Sequence, residues 1–384
     1  MIIILVSVLG CNNYEYEKVK SAIAQSFANL GGISKYINKN ETVLLKVNLI
    51  MKKNPDEAAT THPAIVRALA EILINYGCNV VIGDSPGGPF RESLLRSIYK
   101  TTGMEEVAAQ TGAALNYNTG TTHVDNTNGH ILKHLTVADF ITKVDKIISV
   151  SKLKAHCMTK MTGATKNMFG TIPGTVKAEY HFNCPDPTTF ADCLIDICLN
   201  ASPVLSFMDA IVAMEGHGPT GGEPRQIGAI IASPSPYELD LAASKIINVK
   251  PDQVPMLTRM IQRGLCSASP EHIKYVGDNI NNFVKTDFVI PKTGSMHFLG
   301  DNPPKFLEDF VKHNLHPKPV FRHDLCIGCG DCALNCPAKI ITMKDHKPYV
   351  DIDKCIRCFC CQELCPKKAV DIHRPLLLKI LSKF

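Results

Sequence analysis

The strongest constraint on this 384-residue chain is a doubled cysteine run near its end. Cys326, Cys329, Cys332 and Cys336 precede Pro337, and Cys355, Cys358, Cys361 and Cys365 precede Pro366. Each member stands 29 residues from its counterpart, so the runs form an internal repeat, with "CPAKIITM" answering "CPKKAVDI". A C-x2-C-x2-C-x3-C-P run presents thiolates from one tight loop at the spacing a [4Fe-4S] cube requires. A structural zinc site asks instead for C-x2-C pairs that give one ion four ligands. The chain ahead of the runs is long enough to bury the core of one or more ordinary domains.

The last 65 or so residues resemble a bacterial-type two-cluster ferredoxin, matched at all eight ligand positions and both prolines. In such modules the fourth cysteine of each run ligates the other cluster. The resemblance implies one [4Fe-4S] cluster on Cys326, Cys329, Cys332 and Cys365, and a second on Cys355, Cys358, Cys361 and Cys336. It also implies a small α+β module over residues 320–373. Cys360 lies outside the pattern, at the place of Asp331 in the first copy. It reads either as a spare thiol beside the cluster or as a redox or ligand-exchange group.

Nine of the sixteen cysteines fall within 40 residues, a distribution that points to metal ligation in a reducing, anaerobic cytoplasm rather than to a secreted disulfide framework. Residues 316–384 carry 12 Lys+Arg and 7 Asp+Glu, which leaves 29 of each elsewhere, so the net charge of +5 belongs to this tail. Two ligated clusters of about −2 each offset most of it. Arg357, Lys367 and Lys368 adjoin ligands and read as tuning charges, as a docking face for an acidic electron partner, or as plain solvated surface. No basic stripe interleaved with aromatics is present, so nucleic acid is not an expected partner. "MIIILVSVLG" is too short for the roughly 20 residues a bilayer span needs and reads as a first buried strand, and no integral membrane segment is expected. Residues 300–319 read as a Pro-rich linker with a short helix near Lys305 to Lys312, and 374–384 as a basic amphipathic tail.

Residues 1–299 alternate short β-rich runs with helical stretches. "TVLLKVN" (42–48) and "CNVVIGDS" (78–85) bracket "HPAIVRALAEILINYG" (62–77), whose Pro63 and Gly77 mark a helix start and stop. Strands are also expected at 144–156, 203–214 and 227–233, and helices near 91–111, 188–200 and 236–247. The β-α-β order predicts an α/β domain with a mostly parallel sheet. Ligands of such sheets sit beyond the carboxyl ends of strands. That rule selects Lys46, Asn48, Asp84, Ser85, Lys152, Lys154, His156, Asp209, Glu215 and His217, with Lys160, Lys166 and Asn167 following in "TKMTGATKN". Clustered lysines suit an anionic ligand. "GHGPTG" (216–221) satisfies G-x-G-x-x-G but leads to a strand, where a dinucleotide fingerprint needs a helix.

The stretches "THPAIVRALAEIL", "VIGDSPGG", "KLKAHCMTKMTGATKNMFGTIPG" and "MDAIVAMEGHGPTGGEPRQIGAIIAS" resemble an uncharacterised prokaryotic family, a domain of unknown function often joined to a ferredoxin module. The likeness spans roughly residues 40–250 and implies the architecture, not a reaction. Three functions follow from the residues. The first is an iron–sulfur oxidoreductase in which Lys46, Lys152, Lys154, His156 and Lys166 bind a small anionic substrate and Asp209 or Glu215 donates protons. The second is a non-catalytic electron carrier or adaptor whose large domain docks a partner redox enzyme. The third is metal handling by His156, Cys157, His217 and Glu215.

Overall fold

The computed structural model describes residues 4–184, 186–291 and 317–373. The linker helix expected near Lys305 and the basic tail at 374–384 lie outside the described residues. The strands of the large domain are β1 (Leu5–Gly10), β2 (Thr42–Val47), β3 (Asn79–Gly83), β4 (Ala114–Leu115), β5 (Thr121–Asp125), β6 (His134–Ala138), β7 (Lys146–His156), β8 (Lys160–Thr162), β9 (Leu205–Glu215), β10 (Glu223–Ser233) and β11 (Lys274–Gly277). Among the described residues, nine of them form one sheet in the order β11-β1-β10-β9-β7-β2-β3-β4, with β8 folded back on β7. Parallel pairing runs from β9 through β7, β2 and β3 to β4 and joins β1 to β11. β10 is antiparallel to both its neighbours. The domain is thus α/β with a mostly parallel sheet.

Central strands of such a sheet are covered on both faces, and β7 is buried along its length after Lys146. One face packs against α1 (Tyr16–Asn29), α2 (Pro63–Tyr76), α3 (Glu92–Thr101) and α4 (Met104–Thr111), through residues such as Ile23, Leu69 and Ile98. The other packs against α5 (Ala164–Asn167), α7 (Pro187–Ala201), α8 (Pro236–Ile246) and α9 (Pro255–Gln262), through Phe190, Leu239 and Met256. Between α5 and α7 lies α6 (Val176–Asn183). The helix starts follow their capping residues: the Asp186 side chain accepts from Thr189 N and that of Ser235 from Glu238 N, each ahead of a proline. The single helix expected near 91–111 is two, because Gly103 takes a left-handed φ of +78° between α3 and α4.

The cysteine-rich module pairs β12 (Lys318–Phe321) with β15 (Val370–His373) and β13 (Ile341–Lys344) with β14 (Lys347–Val350), all antiparallel. Two one-turn helices, α10 (Asp331–Leu334) and α11 (Cys360–Glu363), occupy equivalent places in the two repeats.

Candidate functional site

Four thiols, Cys326, Cys329, Cys332 and Cys365, line one cavity of the module. Cys336, Cys355, Cys358 and Cys361 line another. Each set takes three cysteines from one run and the fourth from the other. Among the described residues no three His, Cys, Asp or Glu side chains are grouped to hold a single metal ion. Four thiols spread around a void fit a cube better than one ion.

The module docks through its second repeat. Thr220 Oγ1 donates to the Glu363 carbonyl at 2.7 Å, and Gln362 Nε2 donates to the His217 carbonyl at 3.0 Å. Phe359 and Ile372 bury themselves against Cys157. The glycine-rich segment 216–222 is therefore a seat for α11. A Cβ at Gly218 would strike the Ala155 carbonyl, so only glycine lets this loop lie on β7.

A cavity of about 110 Å³ lies at this contact, beyond the carboxyl ends of β2 and β3. Its domain side includes Lys46, Asn48, Asp84, Lys166, Lys177 and His181, and its module side Asn335, Cys360, Glu363 and Leu364. On the floor, Lys46 Nζ pairs with Asp84 Oδ1 at 2.7 Å and donates to the Val47 carbonyl and Asn167 Oδ1. Burial pulls Lys46 below the lysine range and Asp84 opposes that pull. A Cβ at Gly170 would collide with both partners, so a glycine there lets the chain cross the pair. Lys177 Nζ donates to the Ser85 carbonyl, Ser85 Oγ and the Pro86 carbonyl, and burial brings it down to about 7.

Lys166 is different. Among the described residues its ammonium has no hydrogen-bond acceptor, and its nearest aromatic contact is Phe169 at 5.8 Å. Burial lowers its pKa, while Glu363 and Cys360 favour its charged form. Beneath Glu363, His156 Nδ1 accepts from the backbone N–H groups of Met158 and Thr159 at 3.0 and 3.2 Å. That assigns the ring proton to Nε2, which faces Glu363 Oε1 at 3.0 Å. Burial, reinforced by Lys166, holds His156 down at about 4, so the imidazole is neutral. Burial alone would raise Glu363, but His156 and Lys166 outweigh it and carry it to about 2.

The residues selected from the sequence divide into three groups. Lys46 and Lys166 line the cavity, and Lys154 and His156 stand just behind it. Lys154 Nζ donates to Asn48 Oδ1 and to the Ala59 carbonyl, and burial lowers it to about 7. Lys152 and Asp209 belong elsewhere: they pair at 2.9 Å, and both bond the Tyr14 hydroxyl. Neither lines the cavity, because both lie inside their long strands and not at the ends. Glu215 accepts from Val289 N and faces Arg225, again away from the cavity. His156, Cys157, His217 and Glu215 do not assemble into a metal-binding group. Glu363, Lys177 and His181 were not legible as site residues. For Glu363 the signal lay in the repeat, where its counterpart 29 residues earlier is Leu334.

Residues 43–245 match the model of a domain of unknown function (DUF362), and residues 325–369 match a 4Fe-4S dicluster domain. The chain belongs to the DUF362 family. Its second matched domain is of the iron–sulfur type. Over 319 residues the chain is 29% identical to a thylakoid-associated protein of Synechocystis sp., covering 81% of this chain and 97% of that one. Among solved structures, the lactate racemase apoprotein of Thermoanaerobacterium thermosaccharolyticum aligns at a TM-score of 0.43 and 10% identity. That alignment covers 65% of this chain and 57% of the other. A Thermotoga maritima protein aligns at 0.36 and 13%, covering 66% and 60%. The DUF362 protein has, among its described residues, no helix long and apolar enough to cross a membrane.

Proposed function

We propose that this DUF362 protein is an iron–sulfur oxidoreductase that carries two [4Fe-4S] clusters and reduces or oxidises a small anionic substrate in the cavity between its two parts. The first cluster is assigned to Cys326, Cys329, Cys332 and Cys365, and the second to Cys355, Cys358, Cys361 and Cys336. Clusters of this kind exchange single electrons at low potential. The observation that carries the reading is the unpartnered Lys166 ammonium, facing a cavity whose far wall is built from neighbours of the ligands: Asn335 beside Cys336 and Cys360 beside Cys361.

Lys166 binds the anionic group, and Glu363 favours its charged form in a half-buried setting. Lys177 Nζ, held near 7, takes up or releases a proton close to neutral pH. His156 fixes Glu363 without itself becoming charged. The first repeat, with Cys329 and Ile327 exposed, is the face where an external redox partner docks. A flat surface between the parts would have favoured the electron-carrier alternative, and the concave, lysine-lined cavity supports the enzyme instead.

The test is viologen-linked turnover of anaerobically purified protein against a panel of small carboxylates. The expected result is activity with at least one acid, lost in Lys166→Met while the visible cluster absorption persists. A variant as active as the parent removes the reading.

A further inference from the structure

Two thiols outside the cluster module are in contact. Cys184, directly after α6, and Cys193, within α7, bring their Sγ atoms to 3.0 Å. Cys193 is fully buried and Cys184 is 8% exposed. The helices that carry them are held in register by other groups. His181 of α6 stacks on Phe190 of α7 at 4.4 Å, and both rings meet Phe169 edge-on. A disulfide can therefore form by rotation and small shifts of two side chains, with no rearrangement of helices. α6 also supplies Lys177 and His181 to the cavity.

We propose that Cys184 and Cys193 are a reversible dithiol–disulfide pair, oxidised by a low-molecular-weight disulfide, that clamps α6 onto α7 and stiffens the cavity wall. The consequence for the wall rests on the cavity reading above, whereas formation of the bond stands without it. Cys184, the more accessible thiol, loses its proton and attacks one sulfur of the oxidant, displacing one thiolate that takes up a proton. Cys193 then loses its proton, attacks the Cys184 sulfur of the mixed disulfide, and displaces the second thiolate. The balance is one disulfide and two cysteine thiols giving the Cys184–Cys193 bond and two small thiols. Burial pushes the Cys193 thiol up and so disfavours its thiolate, and the 3.0 Å contact with the Cys184 sulfur offsets this by making the second step intramolecular.

The intact holoprotein is incubated anaerobically with oxidised glutathione, unfolded, alkylated and digested with trypsin. One peptide, between Lys177 and Arg225, contains Cys184, Cys193 and Cys198. It is expected to lose two of its three alkyl labels, and to regain both after a dithiol reductant. The Cys184→Ser peptide should keep both remaining labels, and the Cys198→Ser peptide should lose both of its own. In the oxidised protein, amide hydrogen exchange across residues 176–184 should slow. Retention of all three labels overturns the pairing, and so does loss of two labels in Cys184→Ser. Unchanged exchange across α6 in fully oxidised protein overturns the clamp. None of these readouts depends on turnover.

Discussion

The two copies of the cysteine repeat share one ligand spacing and sit in opposite surroundings. In the first, Cys329 is exposed, Ile327 is 61% exposed and Leu334 57%. In the second, Cys358, Phe359, Cys360 and Cys361 are all buried. Several residues that differ at matched positions meet the DUF362 domain in the second copy: Gly330 is matched by Phe359, Asp331 by Cys360, Ala333 by Gln362, Leu334 by Glu363 and Asn335 by Leu364. Gly330 and Phe359 nevertheless share a left-handed backbone, at φ +80° and +60°. Glycine adopts that conformation freely, and a phenylalanine costs about 1–3 kcal/mol there. Burial of its ring against Cys157 and Ile372 offsets the strain. Ligation dictates the spacing of a repeat, and docking dictates what fills the gaps.

The largest effect expected from breaking this comparison is on iron content. Under the proposed exchange of fourth ligands, Cys336→Ala with Cys355→Ala strikes one cluster and leaves about four irons per chain. Cys336→Ala with Cys326→Ala strikes both and leaves almost none. Iron analysis giving the reverse order would show that each run closes its own cluster.

Giving the second copy the first copy's residue is the next test. Glu363→Leu removes one partner of a buried charged cluster, and we expect it to weaken docking by about 3–5 kcal/mol. The readout is thiol labelling of Cys157, now sealed under Phe359. Phe359→Gly relieves the left-handed strain but loses the ring, for a net weakening of about 2 kcal/mol in the same assay.

On the domain side of the contact, Lys154 carries a pH signature. Its folded pKa of about 7 is below its ordinary 10.5, so between those values the unfolded chain binds more protons. Stability should therefore rise with pH across that window, by at most about 1.4 kcal/mol per unit for one group. Denaturant unfolding at pH 7 to 10 reads it, and Lys154→Met should flatten the slope. The mirror swap, Leu334→Glu, changes an exposed site and should stay within about 0.5 kcal/mol of the parent.

Much of the fold was legible. Runs such as Thr42–Val47 and Asn79–Gly83 declare themselves by β-branched residues, and Pro63–Tyr76 by its apolar period and end signals. The helix break at Gly103 was missed because a lone glycine is tolerated within a helix as often as it ends one. For the site, the strand-end rule found Lys46, Asn48, Asp84 and Ser85, and the segment that follows supplied Lys166 and Asn167, but the rule also chose Asp209 and Glu215. It failed there because β9 runs eleven residues, which leaves Asp209 inside the strand and carries Glu215 past the cavity.

By itself the sequence determined the doubled cysteine spacing and its match to a 4Fe-4S dicluster domain, because that spacing is a property of one short loop and its repeat. Only the tertiary structure decided that Lys166 and Glu363 share a cavity, since they come from separate parts of the chain and meet through docking of α11 on segment 216–222. It also decided their charge, because burial and neighbours, which no local pattern encodes, set how strongly each group holds its proton.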